Sequence, residues 1–516
     1  MATAKIKNCV MTSVILTLTA FLLLTPATAA KPKPKPSGIE KMLQQLDQIG
    51  RGDDYYSSVW TWYTDKRDND ETKKYSWLLK KLFNRAPKDL ASLRAALDNK
   101  KLHEQTRAVA AILLAHYGDE KSVDKLIAGF NGSECSYGAS YALQIHRAPK
   151  ITARLNELVF DKKAKCSPFY LVEALARRTE AEALKGLEEV FEQGRRFGGH
   201  EVVEAVNGIL AQGKRGVPLL IKLFKENNYE SYLVARALVN SPVWEGQKTV
   251  LQEVKLNKEG KFTPKYADAV RNALPGFTDV RAVGPLCEVL LKHADKYTRA
   301  DAAKGLGNLN DKRAFTALLK GAEHEDEYMA KTVAVALGHT GYEAGVGDLL
   351  RFGRAMFSTM HKNVRKALFE SAFRLDRKRV AGAVVYYRKS KSKDDLAFAN
   401  QIEWDLGRER LAGKVPTDVL AKMKKDLASG SYSKQWEASR KAVHWRTKET
   451  GKLLLEYVKS IEPLMVNSDY SDWHKGLGML LDHGYGPGVG YVKKSVGKML
   501  PYYRVVFERK LHGREG

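Results

Sequence analysis

The sequence predicts an all-α fold: an α-α superhelix of stacked two-helix units, closed by helical caps at its N- and C-terminal ends. Two observations carry the prediction. A helical-hairpin pattern recurs through the middle of the chain at a step near 31 residues, and within each copy two marked positions, nearly always apolar, stand twelve residues apart. A chain of 516 residues is also longer than one hydrophobic core sustains, whereas a repeat array escapes that limit because each unit contacts only its neighbours.

Residues 1–30 precede the fold. Lys5 and Lys7 form a positive start, Val10 to Leu24 an apolar run, and TPATAA a set of small residues suited to cleavage near Ala29 or Ala30, the three parts of a secretory signal peptide. The run is shorter than the ~20 residues that a membrane-spanning helix needs, which favours cleavage over anchoring. Cys9 lies ahead of the run, so a lipid-anchored signal, which needs a cysteine at the cleavage point, is not supported. The expected location is secreted or periplasmic. No later segment holds eighteen uninterrupted apolar residues.

A Lys/Pro linker follows at residues 31–38, KPKPKPSG, whose alternating prolines favour an extended, solvated tether. Residues 39–102 read as an N-terminal helical cap, in which IEKMLQQLDQI, YSWLLKKLF and LASLRAAL surround an aromatic segment, DDYYSSVWTWY, suited to covering the end of an array.

The array is expected over residues 103–393, about nine units. Three consecutive copies begin at Tyr266, Tyr297 and Tyr328, each an Ala-rich helix ending in Leu, a short turn, and a second apolar helix. The paired positions run Leu114/Leu126, Leu143/Leu155, Leu175/Leu187, Asn207/Leu219, Leu238/Val250, Leu274/Leu286, Leu306/Leu318, Leu337/Leu349 and Leu368/Val380, with steps of 29 to 36 residues between units. Asp119, Asp279 and Asp311 stand at the turns, where a carboxylate suits the free N–H groups and positive dipole end of the following helix. A lone hairpin of this size cannot bury its apolar faces, so neighbours must stack. Residues 394–516 read as degenerate helical repeats and a C-terminal cap, with Leu477/Val489 keeping the interval of twelve.

The segments RAVAAILLAHYGDEKSVDKLI from Arg107 and RADAAKGLGNLNDKRAFTALL from Arg299 resemble HEAT repeats, and most of all the short bacterial type shared with phycobilin-lyase-like proteins. The resemblance covers about residues 103–390. It implies a solenoid scaffold and brings no catalytic residue with it.

HEAT-repeat deoxyhypusine hydroxylases hold two irons with His-Glu pairs at matching positions of successive helices. Here His103-Glu104, His200-Glu201 and His324-Glu325 stand eleven, seven and thirteen residues ahead of their ladder positions, so they cannot converge. No metal, cofactor or catalytic residue is expected, and a scaffold needs none, although a lyase-like or metal-dependent HEAT enzyme or accessory factor is the alternative reading. The GYGPGVG run at residues 484–490 lacks the strand and Lys-Ser/Thr of a phosphate loop and reads as an inter-helix turn. Arg51-Gly52-Asp53 is too short to specify adhesion, and Asp65, Asp68, Asp70 and Glu71 lack calcium-loop spacing. Cys135 and Cys166 hold near-equivalent positions one repeat apart and are a candidate disulfide, which requires one loop to lean toward the other because stacked repeats are spaced more widely than a bridge allows. Cys287 reads as a small core residue.

Charge gives the strongest functional clue. The whole chain carries +26, but residues 31–350 hold 50 basic and 42 acidic side chains, whereas Arg351 to Lys393 holds thirteen basic residues and only Glu370 and Asp376 as acids. Arg374, Arg377, Lys378 and Arg379 cluster at a turn; Arg388, Lys389, Lys391 and Lys393 follow Tyr386 and Tyr387. These eight are the candidate partner-binding patch, suited to an acidic protein, an acidic envelope polymer or an anionic lipid surface. Nucleic acid fits the charge but not an exported address, and the second helices carry no regular basic stripe.

Overall fold

The structure, a computed structural model, describes residues 38–50, 78, 81–82, 90–130, 142–146, 148–164, 167–194, 197, 199–226, 230–241, 243–323, 326–429, 432–461, 472–496, 499, 504, 507 and 511. The expected signal peptide, the linker up to Pro36 and Ser37, the aromatic segment, the Arg51-Gly52-Asp53 tripeptide, the acidic loop, Cys135, Cys166 and His324-Glu325 lie outside the described residues. Among those described, regular structure is helical apart from one isolated antiparallel bridge, Leu256 to Phe262. No described helix is long and apolar enough to cross a membrane.

Each unit is a helical hairpin, and the hairpins stack in two layers. First helices pack on first helices: Pro168–Ala176 on Gly199–Ala211, Ser231–Asn240 on Ala267–Ala273, Lys296–Leu306 on Glu327–His339, and the last of these on Lys362–Leu375. Second helices do the same: Val217–Glu226 on Trp244–Leu251, Val283–Lys292 on Lys312–Gly321, Val346–Ala355 on Arg377–Lys389. The result is the superhelix that the repeat implied.

The ladder lies between the layers. Eight of the nine pairs are no more than 2% exposed, from Leu114/Leu126 to Leu368/Val380. The exception is Asn207/Leu219, where both side chains are half-buried and the core is filled instead by Val206, Leu210 and Leu220. Small residues let first helices touch backbone to backbone. A Cβ on Gly338 would stand 2.7 Å from the Cα of Ser371, and one on Gly307 would stand 3.1 Å from the Cα of Ala336. The longest step, from Leu238 to Leu274, is explained by the loop of the Leu256 to Phe262 bridge, turned by Gly260 at φ +71°.

Turn chemistry follows expectation at two of three sites. The carboxylates of Asp279 and Asp311 accept the backbone N–H of Arg281 and Arg313 and also hold those guanidinium groups at 2.7 and 2.8 Å. Hydrogen bonding from these arginines keeps both carboxyls below their ordinary range. Asp119 makes no capping bond; it faces Arg94 of the N-terminal helices at 3.7 Å.

Among the described residues the apolar interior falls into three clusters: Ile39 to Leu114, Ala111 to Leu411, and Met423 to Leu511. The third contains two further hairpins, Tyr432–Trp445 with Lys448–Ser460, and Asp472–His483 with Gly486–Ser495. The buried ladder positions there are Ala442/Leu454 and Leu480/Val492, all fully buried. The register therefore sits three residues beyond Leu477/Val489, of which Val489 is only half-buried. The GYGPGVG run is only partly a turn: Gly484, at φ +74°, makes the turn, and Gly486 onward opens a helix with a proline in its first turn.

Candidate partner-docking surface

The basic segment folds into the helices Lys362–Leu375 and Arg377–Lys389, followed by Lys393–Leu406. Asp376 separates the first two: its carboxylate accepts the N–H of Arg379 and starts the second helix. Ser392 starts the third by accepting from Asp395. The eight candidate cations are thereby divided between two roles.

Four arginines work within the chain. Arg374 is 26% exposed; its guanidinium lies 3.1 Å from His339 Nε2 and 3.5 Å from Asp482 Oδ1. Burial lowers its pKa, and Asp482 opposes that shift. Arg377 lies against the Cα of Gly413, leaving no room there for a Cβ. Arg379 donates to the carbonyls of Glu343 and Ala344 at 3.2 and 3.4 Å, closing the turn of the preceding unit. Arg388 pairs with Glu403, which also receives Arg408.

The four lysines are different. Lys378, Lys389, Lys391 and Lys393 are all exposed, and among the described residues no carboxylate lies in salt-bridge range of any of them. Lys378 and Lys389 share one face of the Arg377–Lys389 helix, eleven residues or about 16 Å apart. Between them that face carries Gly382, Val385 and Tyr386, with Val385 54% and Tyr386 72% exposed. The helix contains no acid. Tyr387, in contrast, turns inward onto Phe398, with ring centroids 5.2 Å apart.

Two features of this region were not read from the sequence. Trp404 is 85% exposed on the Lys393–Leu406 helix; Leu396, Ala397, Asn400 and Trp404 stand at i, i+1, i+4 and i+8, a spacing that puts them on one helix face and is readable from the sequence. Arg410 is 4% exposed and holds Glu370 through two bonds of 2.6 and 2.7 Å, donates to the His444 carbonyl and lies over the Phe373 ring. Nothing local to its sequence marks it.

Of the other candidates, His103 and His200 are described, and they take separate places. His103 donates its backbone N–H to Asp47, and His200 lies exposed at a helix start. Among the described residues no group of three or more His, Cys, Asp or Glu side chains is placed to hold a metal ion. Cys287 is half-buried, and burial pushes its thiol up to about 11, which leaves it protonated and unreactive at neutral pH.

One family-model match agrees with this architecture. Residues 283–355 match the family model described as HEAT repeats. No curated protein matches the chain in sequence. Among solved structures, UNC-45 from Drosophila melanogaster aligns over 93% of this chain and 89% of its own at 12% identity, with a TM-score of 0.24. A superposition that loose carries no argument about function.

Proposed function

From the premise that this chain is a HEAT-repeat protein, a helical scaffold for contacts with other proteins, we propose that it is an exported scaffold holding an acidic protein partner along the exposed face of the Arg377–Lys389 helix. The observation that carries the reading is the acid-free helix face on which Lys378 and Lys389, unpaired, bracket exposed Val385 and Tyr386. Lys391 and Lys393 extend the positive field at one end. An apolar centre rimmed by like charges suits a partner with the opposite pattern, since the rim steers encounter and excludes like-charged competitors while the aromatic anchors the contact. Export is supported by Lys5 and Lys7, the apolar run to Leu24 and the small residues up to Ala30.

The test replaces Lys378, Lys389, Lys391 and Lys393 with Glu, leaving the four internally engaged arginines untouched. Immobilised wild-type protein should retain acidic proteins from an envelope extract and release them as salt rises, and the reversed variant should not. Equal retention by both sinks the proposal. Retention of anionic vesicles in place of proteins would replace the protein partner with a lipid surface.

A further inference from the structure

The first-helix layer of the array ends on Lys393–Leu406. This helix packs against Lys362–Leu375 in its own layer, against Arg377–Lys389, the second helix of the preceding hairpin, and at its end against Arg408–Ala412. Its buried face is Phe398, Ala399, Ile402 and Leu406. The chain then leaves the stack: Gly407 and Gly413 turn it at φ +82° and +69°, and Arg410 between them ties the exit to Glu370. The flank on which the next first helix would sit stays open. It carries Lys393, Leu396, Ala397, Asn400 and Trp404, all exposed, with Trp404 at 85% and Leu396 at 44%.

We propose that this flank pairs antiparallel with the same flank of a second copy, giving a two-fold dimer with Asn400 near its axis. A two-fold contact requires a self-complementary surface, and the spacing supplies one. Leu396 and Trp404 stand four residues to either side of Asn400, so the rotation sets the indole of one copy on the leucine of the other. Ala397 leaves room beside it. An asparagine amide is both donor and acceptor and satisfies its twin across the axis. Small residues are also what the array uses for close approach of first helices, near their C-terminal ends at Gly338/Ser371 and Gly307/Ala336.

Charge favours this occupant over an acidic one. The helix holds Asp394, Asp395, Glu403 and Asp405 against Lys393, an acidic element in a chain of +26. Antiparallel pairing brings the Asp394 end of one copy, whose carboxylate is 80% exposed, beside the Arg408 end of the other, whose guanidinium is 76% exposed, and opposes the helix dipoles. One helix flank is a small interface, so the dimer belongs in the micromolar range.

Sedimentation of the purified chain from about 1 to about 100 µM should show its mass rising toward that of two copies. Trp404→Glu should weaken self-association at least about tenfold with unchanged circular dichroism, as expected for a side chain that touches little else. Asn400→Cys should link to its twin under mild oxidation well beyond the wild-type background, because the axis brings the two sulfurs together. Reversing only Lys378, Lys389 and Lys391, which lie off this helix, should leave the dimer intact, which separates this contact from partner docking. A wild-type chain that stays monomeric throughout, a Trp404→Glu variant that associates as wild type, or an Asn400→Cys variant that links no more than wild type overturns the proposal.

Discussion

The guanidinium of Arg374 lies 3.5 Å from the carboxylate of Asp482, 108 positions further along the chain. Arg446 reinforces the same junction, donating to the carbonyl of Arg374 at 3.3 Å and to that of His483 at 3.3 Å. The turns of the C-terminal hairpins thus close onto the turn of the Lys362–Leu375 unit, and part of the basic segment faces the chain itself.

Reversing that charge therefore tests internal closure. Because Asp482 is half exposed, Asp482→Asn should cost only about 1 kcal/mol. Arg374→Asp should cost more, and the exchange Arg374→Asp with Asp482→Arg should recover part of the loss. Hydrogen exchange across residues 448–496 reads the effect; protection unchanged in Arg374→Asp would show that the junction is not a support.

Arg410 carries a larger share. Its buried guanidinium has both forks on Glu370, so Glu370→Leu strands the cation and Arg410→Leu removes it. Losing one partner of such a pair costs about 3 kcal/mol. Urea denaturation should show both variants destabilised, with Arg410→Lys only partly restoring stability because an ammonium cannot make the paired fork. Wild-type stability in Arg410→Leu would refute the assignment.

Acid should loosen the C-terminal hairpins first. Burial lowers the pKa of His474 and His483 from 6.5 to about 4, and nearby Arg446 adds to the shift at His483. The folded chain keeps both rings neutral where the unfolded chain protonates them. Their stability is therefore fully present above pH 6.5 and declines as pH falls toward 4, at about 1.4 kcal/mol per pH unit for each ring. Thermal unfolding of His474→Phe with His483→Gln should flatten that slope; an unaltered pH dependence would remove these two rings as its cause.

Gly338→Val tests the close approach of the first helices. The new Cβ would lie 2.6 Å from Ser371 Oγ and 2.7 Å from the Ser371 Cα, so the layer must part, at a cost of about 2 kcal/mol. Adding Ser371→Gly should relieve it in part. Gly382→Ala, at an open position, should leave stability equal to or above wild type, and comparison of the two unfolding midpoints checks both claims.

The hairpin ladder was legible in sequence because it is local: helix periodicity and a turn of nearly fixed length put Leu306 and Leu318, or Leu337 and Leu349, in one core regardless of what stands further along the chain. The same logic misplaced the last register. Ala442 stands where earlier units have Leu, and Leu477 offered a plausible substitute for Leu480. In the Asn207 unit a polar residue held the counted position while Val206 and Leu210 did the packing.

Residue identity and spacing alone determined that the chain forms stacked helical hairpins, where most turns fall, and that Arg351 to Lys393 is basic. Which cations face outward was decided by the tertiary structure. Arg374, Arg377, Arg379 and Arg388 differ from Lys378, Lys389, Lys391 and Lys393 in what the superhelix brings beside them. Asp482, Gly413, the Glu343 carbonyl and Glu403 reach the arginines through the stacking and closing of units, and sequence distance carries no record of that approach. The planar guanidinium suits such multi-point internal contacts, which leaves the lysines to solvent.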